Sequence, residues 1–228
     1  MTRSNHWILA AILLVGPVAF GQTAAQQATP PDHMDHRFDN PEQSAKGFDD
    51  PARDAWQMPD RVIAALSLKP GQIVADIGSG TGYFTVRLAK SATAPKVYGS
   101  DIEPNMVSYL RDRAAKEGLH NVFSVLAAAD TPNLPERVDV VLIVDTYHHI
   151  GERETYFRKL AKSLKPGGKV AIVDFRPDWK EGPPAEFRFP PEKIKAEMSA
   201  AGYKFVAAPD FLPRQQFLIF EVAGQPSR

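Results

Sequence analysis

The chain has 228 residues, 43% hydrophobic and 24% charged, an ordinary globular composition with enough apolar material for one core. Lys plus Arg equals Asp plus Glu at 27 each, and no dense basic cluster occurs, so nothing steers the protein toward nucleic acid or acidic lipid. Cysteine is absent, which excludes disulfides, thiolate catalysis and cysteine-ligated metal.

The chain opens with Arg3 and an almost unbroken apolar stretch, Trp7 to Phe20, followed by small residues with Ala19 and Gly21 at cleavage spacing before Gln22. A run of 14 residues has the length of a signal-peptide core and is short for a membrane span. Residues 1–21 are therefore expected to be a signal peptide and the mature chain to be exported, periplasmic or secreted. An uncleaved membrane anchor is the alternative. Residues 22–47 read as a linker or N-terminal extension, rich in Gln, Ala, Thr and Pro at its start. Within it Asp32-His33-Met34-Asp35-His36 has metal-like composition but sits in linker, and no metal is assigned to it.

From Val62 onward strands and helices alternate. Strands are expected at Ile73–Ile77, Lys96–Ser100, Val122–Ala127, Val138–Val144 and Lys169–Asp174, with helices at Tyr83–Lys90, Pro104–Glu117 and Glu152–Leu164. Val138 to Val144 is nearly all β-branched or Leu, as in a central strand buried on both faces. Pro166-Gly167-Gly168 predicts a break between helix and fifth strand. A last helix, Pro191–Ala201, then precedes two strands, Tyr203–Ala208 and Gln216–Val222, joined by a Pro-containing turn.

The chemistry concentrates where the first strand ends. Its apolar run passes into Gly78, Gly80 and Gly82 at every second position, and a helix follows at once. Glycines there let the backbone take positive φ and approach a ligand without an intervening Cβ. Asp101 closes the next strand about 20 residues on, where ribose recognition sits in nucleotide-binding α/β proteins. The spacing disfavours a dinucleotide, which wants G-x-G-x-x-G, because Tyr83 stands in the motif and the third glycine comes one residue early. Asp76, just inside the strand end, would also repel a pyrophosphate and attract a cation.

Asp76 to Gly82 resembles motif I of the class I S-adenosylmethionine-dependent methyltransferases, and the resemblance extends over about residues 48–223. Val97 to Pro104 is similar to the second family motif. Asp101 would then bond the ribose hydroxyls, as a carboxylate suits a cis-diol, and Ile102 would pack on adenine. Asp130 matches the acidic residue near the adenine amino group, although Ala129 replaces a glycine often found before it. Leu164 to Gly168 looks like the family's turn after a helix. The resemblance implies residues 48–228 as one Rossmann-like α/β domain: a seven-stranded, mostly parallel sheet with helices on both faces and a C-terminal antiparallel hairpin. It also implies S-adenosyl-L-methionine as cofactor, with Asp76, Gly78, Gly80, Gly82, Asp101, Ile102, Asp130 and Asp145 around it. Phe48 to Met58, with Arg53 and Trp56, falls where such folds carry a lid.

Tyr147-His148-His149 follows the fourth strand, on the ligand edge of an open α/β sheet. Methyl transfer needs an aligned acceptor and, for a protonated one, a base. His148 or His149 is the candidate base, with Tyr147 beside them, and pocket shaping is the alternative role. Asp174, Phe175, Arg176, Trp179, Arg188 and Arg214 are candidates for the acceptor side. The expected acceptor is a small-molecule or lipid-like compound; no stable protein partner is inferred. An NAD-dependent oxidoreductase and an exported, non-catalytic cofactor-binding protein are the competing functions.

Overall fold

A computed structural model describes residues 33–224, apart from positions 36 and 39. The expected signal peptide, most of the early linker and two residues of the Asp32–His36 run lie outside the described residues. No helix among the described residues is long and apolar enough to cross a membrane.

The chain enters through three short helices, α1 (Pro41–Phe48), α2 (Asp54–Gln57) and α3 (Pro59–Ala65). Then β1 (Ile73–Ile77), α4 (Tyr83–Lys90), β2 (Lys96–Asp101), α5 (Pro104–Lys116), β3 (Val122–Leu126) and β4 (Val138–Val144) follow. The last part is α6 (Arg153–Leu160), β5 (Leu164–Phe175), α7 (Pro191–Ala200), β6 (Tyr203–Ala207) and β7 (Gln215–Val222). The seven strands lie in the order β3-β2-β1-β4-β5-β7-β6. β1 to β5 are parallel, and β7 runs antiparallel between β5 and β6. The sequence-based architecture is the one observed.

Strand alternation builds a core on each face. Ala75, Ile77, Val141, Ile143, Val170 and Ile172 meet the side chains of α6 and α7 on one side. Val74, Val140, Leu142, Val144 and Val173 meet those of α3, α4 and α5 on the other. β4 is inaccessible on both faces over most of its length, the burial that its β-branched run predicts. Helix starts follow local rules: Pro104 and Pro191 open α5 and α7, where a missing N–H costs nothing.

One expectation is corrected. Pro166-Gly167-Gly168 does not separate helix from strand, because β5 already begins at Leu164, which pairs with Val138. The register then shifts, and pairing resumes at Lys169 opposite Val140. The four residues from Lys165 to Gly168 stand opposite Asp139 as a bulge in the strand, with Gly167 at φ +73° taking up the bend.

Because β1 turns away toward β2 and β4 on opposite sides, its C-terminal end is the topological switch point of the sheet. That end carries the glycine loop. The core behind it must hold the strand ends in register. Leu142→Ala, at a position with no exposure, should therefore lower stability by about 2–5 kcal/mol in urea denaturation, with unchanged secondary structure in circular dichroism.

Candidate functional site

The loop after β1 is pinned to the end of β2. The N–H groups of Gly78 and Ser79 donate to the Ser100 carbonyl at 2.8 and 3.2 Å. The Gly80 N–H donates to Asp101 Oδ2 at 2.7 Å, and the Glu103 N–H donates to Oδ1 at 2.9 Å. Gly78 sits at φ +72°, and a Cβ there would lie 2.2 Å from Thr146 Oγ1, so neither strain nor space admits a side chain. Gly80 also has positive φ, but its missing Cβ faces the Phe48 ring of α1 at 3.3 Å rather than open space. The loop is thus capped by the end of α1.

Asp101 is buried, and desolvation pushes its pKa upward against the backbone hydrogen bonds that favour its charge. Two of its roughly four acceptor positions are taken by the chain, leaving capacity for ribose hydroxyls. Asp76 is also buried, accepts from Thr85 Oγ1 at 2.6 Å, and is pushed up to about 6, chiefly by desolvation. A cation next to it would restore its charge. Ile102 is 54% exposed although large and apolar, and it lines the cavity. Asp130 lies on the same rim, exposed and held by Lys159 Nζ at 2.5 Å.

These residues surround a cavity of about 1000 Å³, the upper end for single ligand pockets. Two hydroxyls of the loop, Ser79 Oγ and Thr81 Oγ1, are buried with no partner among the described residues. The loop's curvature, the open acceptor positions of Asp101, the apolar face of Ile102 and a carboxylate awaiting a cation all fit S-adenosyl-L-methionine. When bound, that cofactor supplies a methyl group activated by a sulfonium.

The opposite wall holds the titratable centre. His148 is buried, and its Nδ1 meets both carboxylate oxygens of Asp174 at 2.9 and 3.0 Å, while its backbone N–H donates to the same carboxylate at 3.3 Å. Burial pulls the imidazole pKa down, but Asp174 outweighs it and the net shift is upward. With Nδ1 donating, a neutral His148 keeps its lone pair on Nε2. His149 Nδ1 donates to the Met34 carbonyl at 2.8 Å, and the Met34 N–H donates to the His148 carbonyl at 2.8 Å. Both histidines line the cavity.

Tyr147 is corrected. Its ring is fully buried, stacked on Phe157, and its hydroxyl donates to Glu197 on α7. Burial, then Glu197, raise its pKa far above the ordinary phenol range. It does not line the cavity and belongs to the core beneath it. Asp145 stands at the cavity as expected and has a second set of contacts. It lines the cavity at φ +52°, but its carboxylate accepts from Arg53 at 3.1 Å, Gln57 at 3.2 Å and Gln215. Its place is to anchor the α2 segment over the strand ends.

Sequence reasoning missed Thr85, Gln57, Gln215 and the strap from His33 to Phe38. Asp174 was seen only as an acceptor-side candidate, not as the partner of His148. Register offered a signal for that pair: Val144 lies opposite Val173, so the residues leaving β4 and β5 emerge side by side. Among the described residues no group of three His, Asp or Glu is placed to hold a metal.

Comparison with known proteins agrees with this geometry. Residues 74–168 match the family model of a methyltransferase domain. The chain is 33% identical over 121 residues to 27-O-demethylrifamycin SV methyltransferase of Amycolatopsis mediterranei, covering 52% of this chain and 44% of that one. It is 37% identical over 126 residues to phosphoethanolamine N-methyltransferase 1 of Arabidopsis thaliana, covering 55% and 25% respectively. It therefore spans less than half the length of either relative. The crystal structure of an S-adenosylmethionine-dependent methyltransferase from Aquifex aeolicus superposes with TM-score 0.74 at 26% identity, covering 82% of this chain and all of that one. Residues 74–168 thus match a methyltransferase domain, and the Aquifex aeolicus structure that the chain resembles is S-adenosylmethionine-dependent, which favours that cofactor over a dinucleotide.

If Asp101 both binds ribose and holds the loop, Asp101→Ala should weaken S-adenosylhomocysteine binding by about 1.5–3 kcal/mol and also lower the melting temperature. Ile102→Ala should weaken binding by about tenfold with melting temperature unchanged, since its side chain is exposed. Calorimetric titration and thermal denaturation of both variants separate the two roles.

Proposed function

We propose that this chain transfers a methyl group from S-adenosyl-L-methionine to a small-molecule or lipid-like acceptor outside the cytoplasmic membrane, with His148 taking the acceptor's proton. The observation that carries this reading is the His148–Asp174 pair in the same cavity as the glycine loop. A base oriented by a carboxylate is the arrangement general-base catalysis requires. Asp76 and Asp101 favour a cationic cofactor, Asp101 and Ile102 orient it, and Met34, Phe38, Phe48 and Trp56 add apolar cover to the cavity. The relatives named above are methyltransferases of 27-O-demethylrifamycin SV and of phosphoethanolamine, which supports a small acceptor. Incubation with methyl-labelled S-adenosyl-L-methionine and cell-envelope extract tests the reading: a labelled low-molecular-weight product supports it, and its absence alongside full cofactor binding favours a non-catalytic binding protein.

The pH dependence has a definite sign. A pKa raised in the folded state means that the His148–Asp174 pair contributes stability fully below the unfolded value of about 6.5 and loses it as pH rises through the folded value. A proton acceptor, however, works only when deprotonated. The transfer rate should therefore climb with pH along a limb centred above about 6.5, over the same window in which that stability is lost. His148→Ala should lower the rate about 10²–10⁴-fold with cofactor affinity nearly intact. Asp174→Asn should move the limb to lower pH while slowing transfer. A flat profile near neutrality would assign both residues to packing.

Export rests on Trp7–Phe20, which has signal-peptide length and flanks. Intact-mass analysis of envelope and cytosolic fractions should find a chain beginning near Gln22 in the envelope or medium. A full-length cytosolic species would refute export.

A further inference from the structure

We propose that the acceptor is an uncharged, planar phenol seated against Trp56 and Phe175 with its hydroxyl at His148; this rests on the methyl-transfer reading above. One stretch of the cavity wall is made of flat apolar groups. Trp56 of α2 and Phe175 at the end of β5 both line the cavity half-buried, with ring centroids 5.9 Å apart at 40°. Gly182, Pro183 and Pro184 continue the wall. Gly182 keeps it thin, because a Cβ there would lie 2.7 Å from the Phe175 ring, and φ at that residue is +95°. Ring faces favour a flat aromatic guest through offset or edge contacts. A cavity of about 1000 Å³ leaves room for such a guest beside a cofactor held at the glycine loop.

Charge selects among flat guests. Seven carboxylates line the cavity against two arginines, Arg37 and Arg53. Both guanidiniums are already turned on carboxylates: Arg37 meets Glu103 at 3.1 and 3.0 Å, and Arg53 meets Asp145 at 3.1 Å. Arg214, 5.0 Å over the Trp56 ring, is likewise turned on Glu181 at 3.0 Å, so an anionic acceptor would meet an acidic cavity with these arginines engaged. A cationic acceptor would be drawn to the wrong end, because Asp76, Asp101, Glu103 and Asp130 cluster at the ends of β1 to β3. Beside Trp56, Asp145 is satisfied by Arg53, Gln57 and Gln215. An uncharged guest remains.

The base narrows the class further. A phenol ionises near pH 10, within a few units of an imidazole, whereas an aliphatic alcohol is far weaker as an acid and a poorer match. The phenolic O–H bond breaks and its proton passes to His148. The oxygen's electron pair forms the new O–CH3 bond while the C–S pair returns to the sulfonium sulfur, leaving a neutral thioether.

The test uses the full chain saturated with S-adenosylhomocysteine and three biphenyl probes: 4-phenylphenol, 4-phenylbenzoate and 2-(biphenyl-4-yl)ethylamine. Calorimetry should find the phenol binding at least about tenfold tighter than either charged probe. Trp56→Ala should weaken phenol binding about tenfold with S-adenosylhomocysteine affinity unchanged, and Trp56→Phe should restore most of it. Methyl-labelled cofactor should then give the aryl methyl ether. Equal or tighter binding of a charged probe, or phenol binding indifferent to Trp56→Ala, overturns the acceptor class while leaving methyl transfer standing. Failure of S-adenosylhomocysteine to bind overturns the methyl-transfer reading itself.

Discussion

The Asp101 carboxylate is the joint on which the site depends. It accepts the Gly80 N–H from the loop after β1 and the Glu103 N–H from the start of α5. One side chain thereby fixes the loop and the second strand's exit relative to each other. Such a joint works only if β1 and β2 end in register, which the pairing of Ile77 with Ser100 ensures. The cost is a buried charge, visible in the upward shift of its pKa. Charge-assisted hydrogen bonds offset part of that cost, and a cationic ligand nearby would offset more.

A second joint, Asp145, ties the other end of the cavity together. Its donors come from α2 and β7, far apart in sequence, and Arg53 also reaches the Phe48 carbonyl at 2.9 Å. Phe48 covers Gly80, so the two joints meet through α1 and α2. The strap before α1 completes the enclosure. Met34 bridges both histidines through its backbone, Phe38 lies edge-on to Phe48 and His149, and Arg37 clasps Glu103. His148 is therefore held by Asp174 from behind and by the strap in front.

Much of this was legible in the sequence because it is local. The limits of β1, α4 and β4 follow from apolar period and glycine punctuation alone, and Gly78, Asp101 and Ile102 emerge at the strand ends where they were expected. What escaped is non-local. Tyr147, His148 and His149 form one 3-10 turn, with about three residues per turn, so Tyr147 turns into the core while His148 and His149 line the cavity. Adjacency in sequence suggested a cluster of three, of which the turn keeps the two histidines together and removes the tyrosine. The partners of Asp145 lie 92, 88 and 70 residues away, and no spacing announces them. The strap, read as linker from its composition, gains its structure from contacts with the cavity rim rather than from its own propensity.

A crystal structure of the full chain grown with S-adenosylhomocysteine tests the central claim most directly. The account predicts the ribose hydroxyls on Asp101, the adenine against Ile102, and the sulfur facing the wall that carries His148. A nucleoside bound elsewhere, or a ribose held away from Asp101, would contradict it.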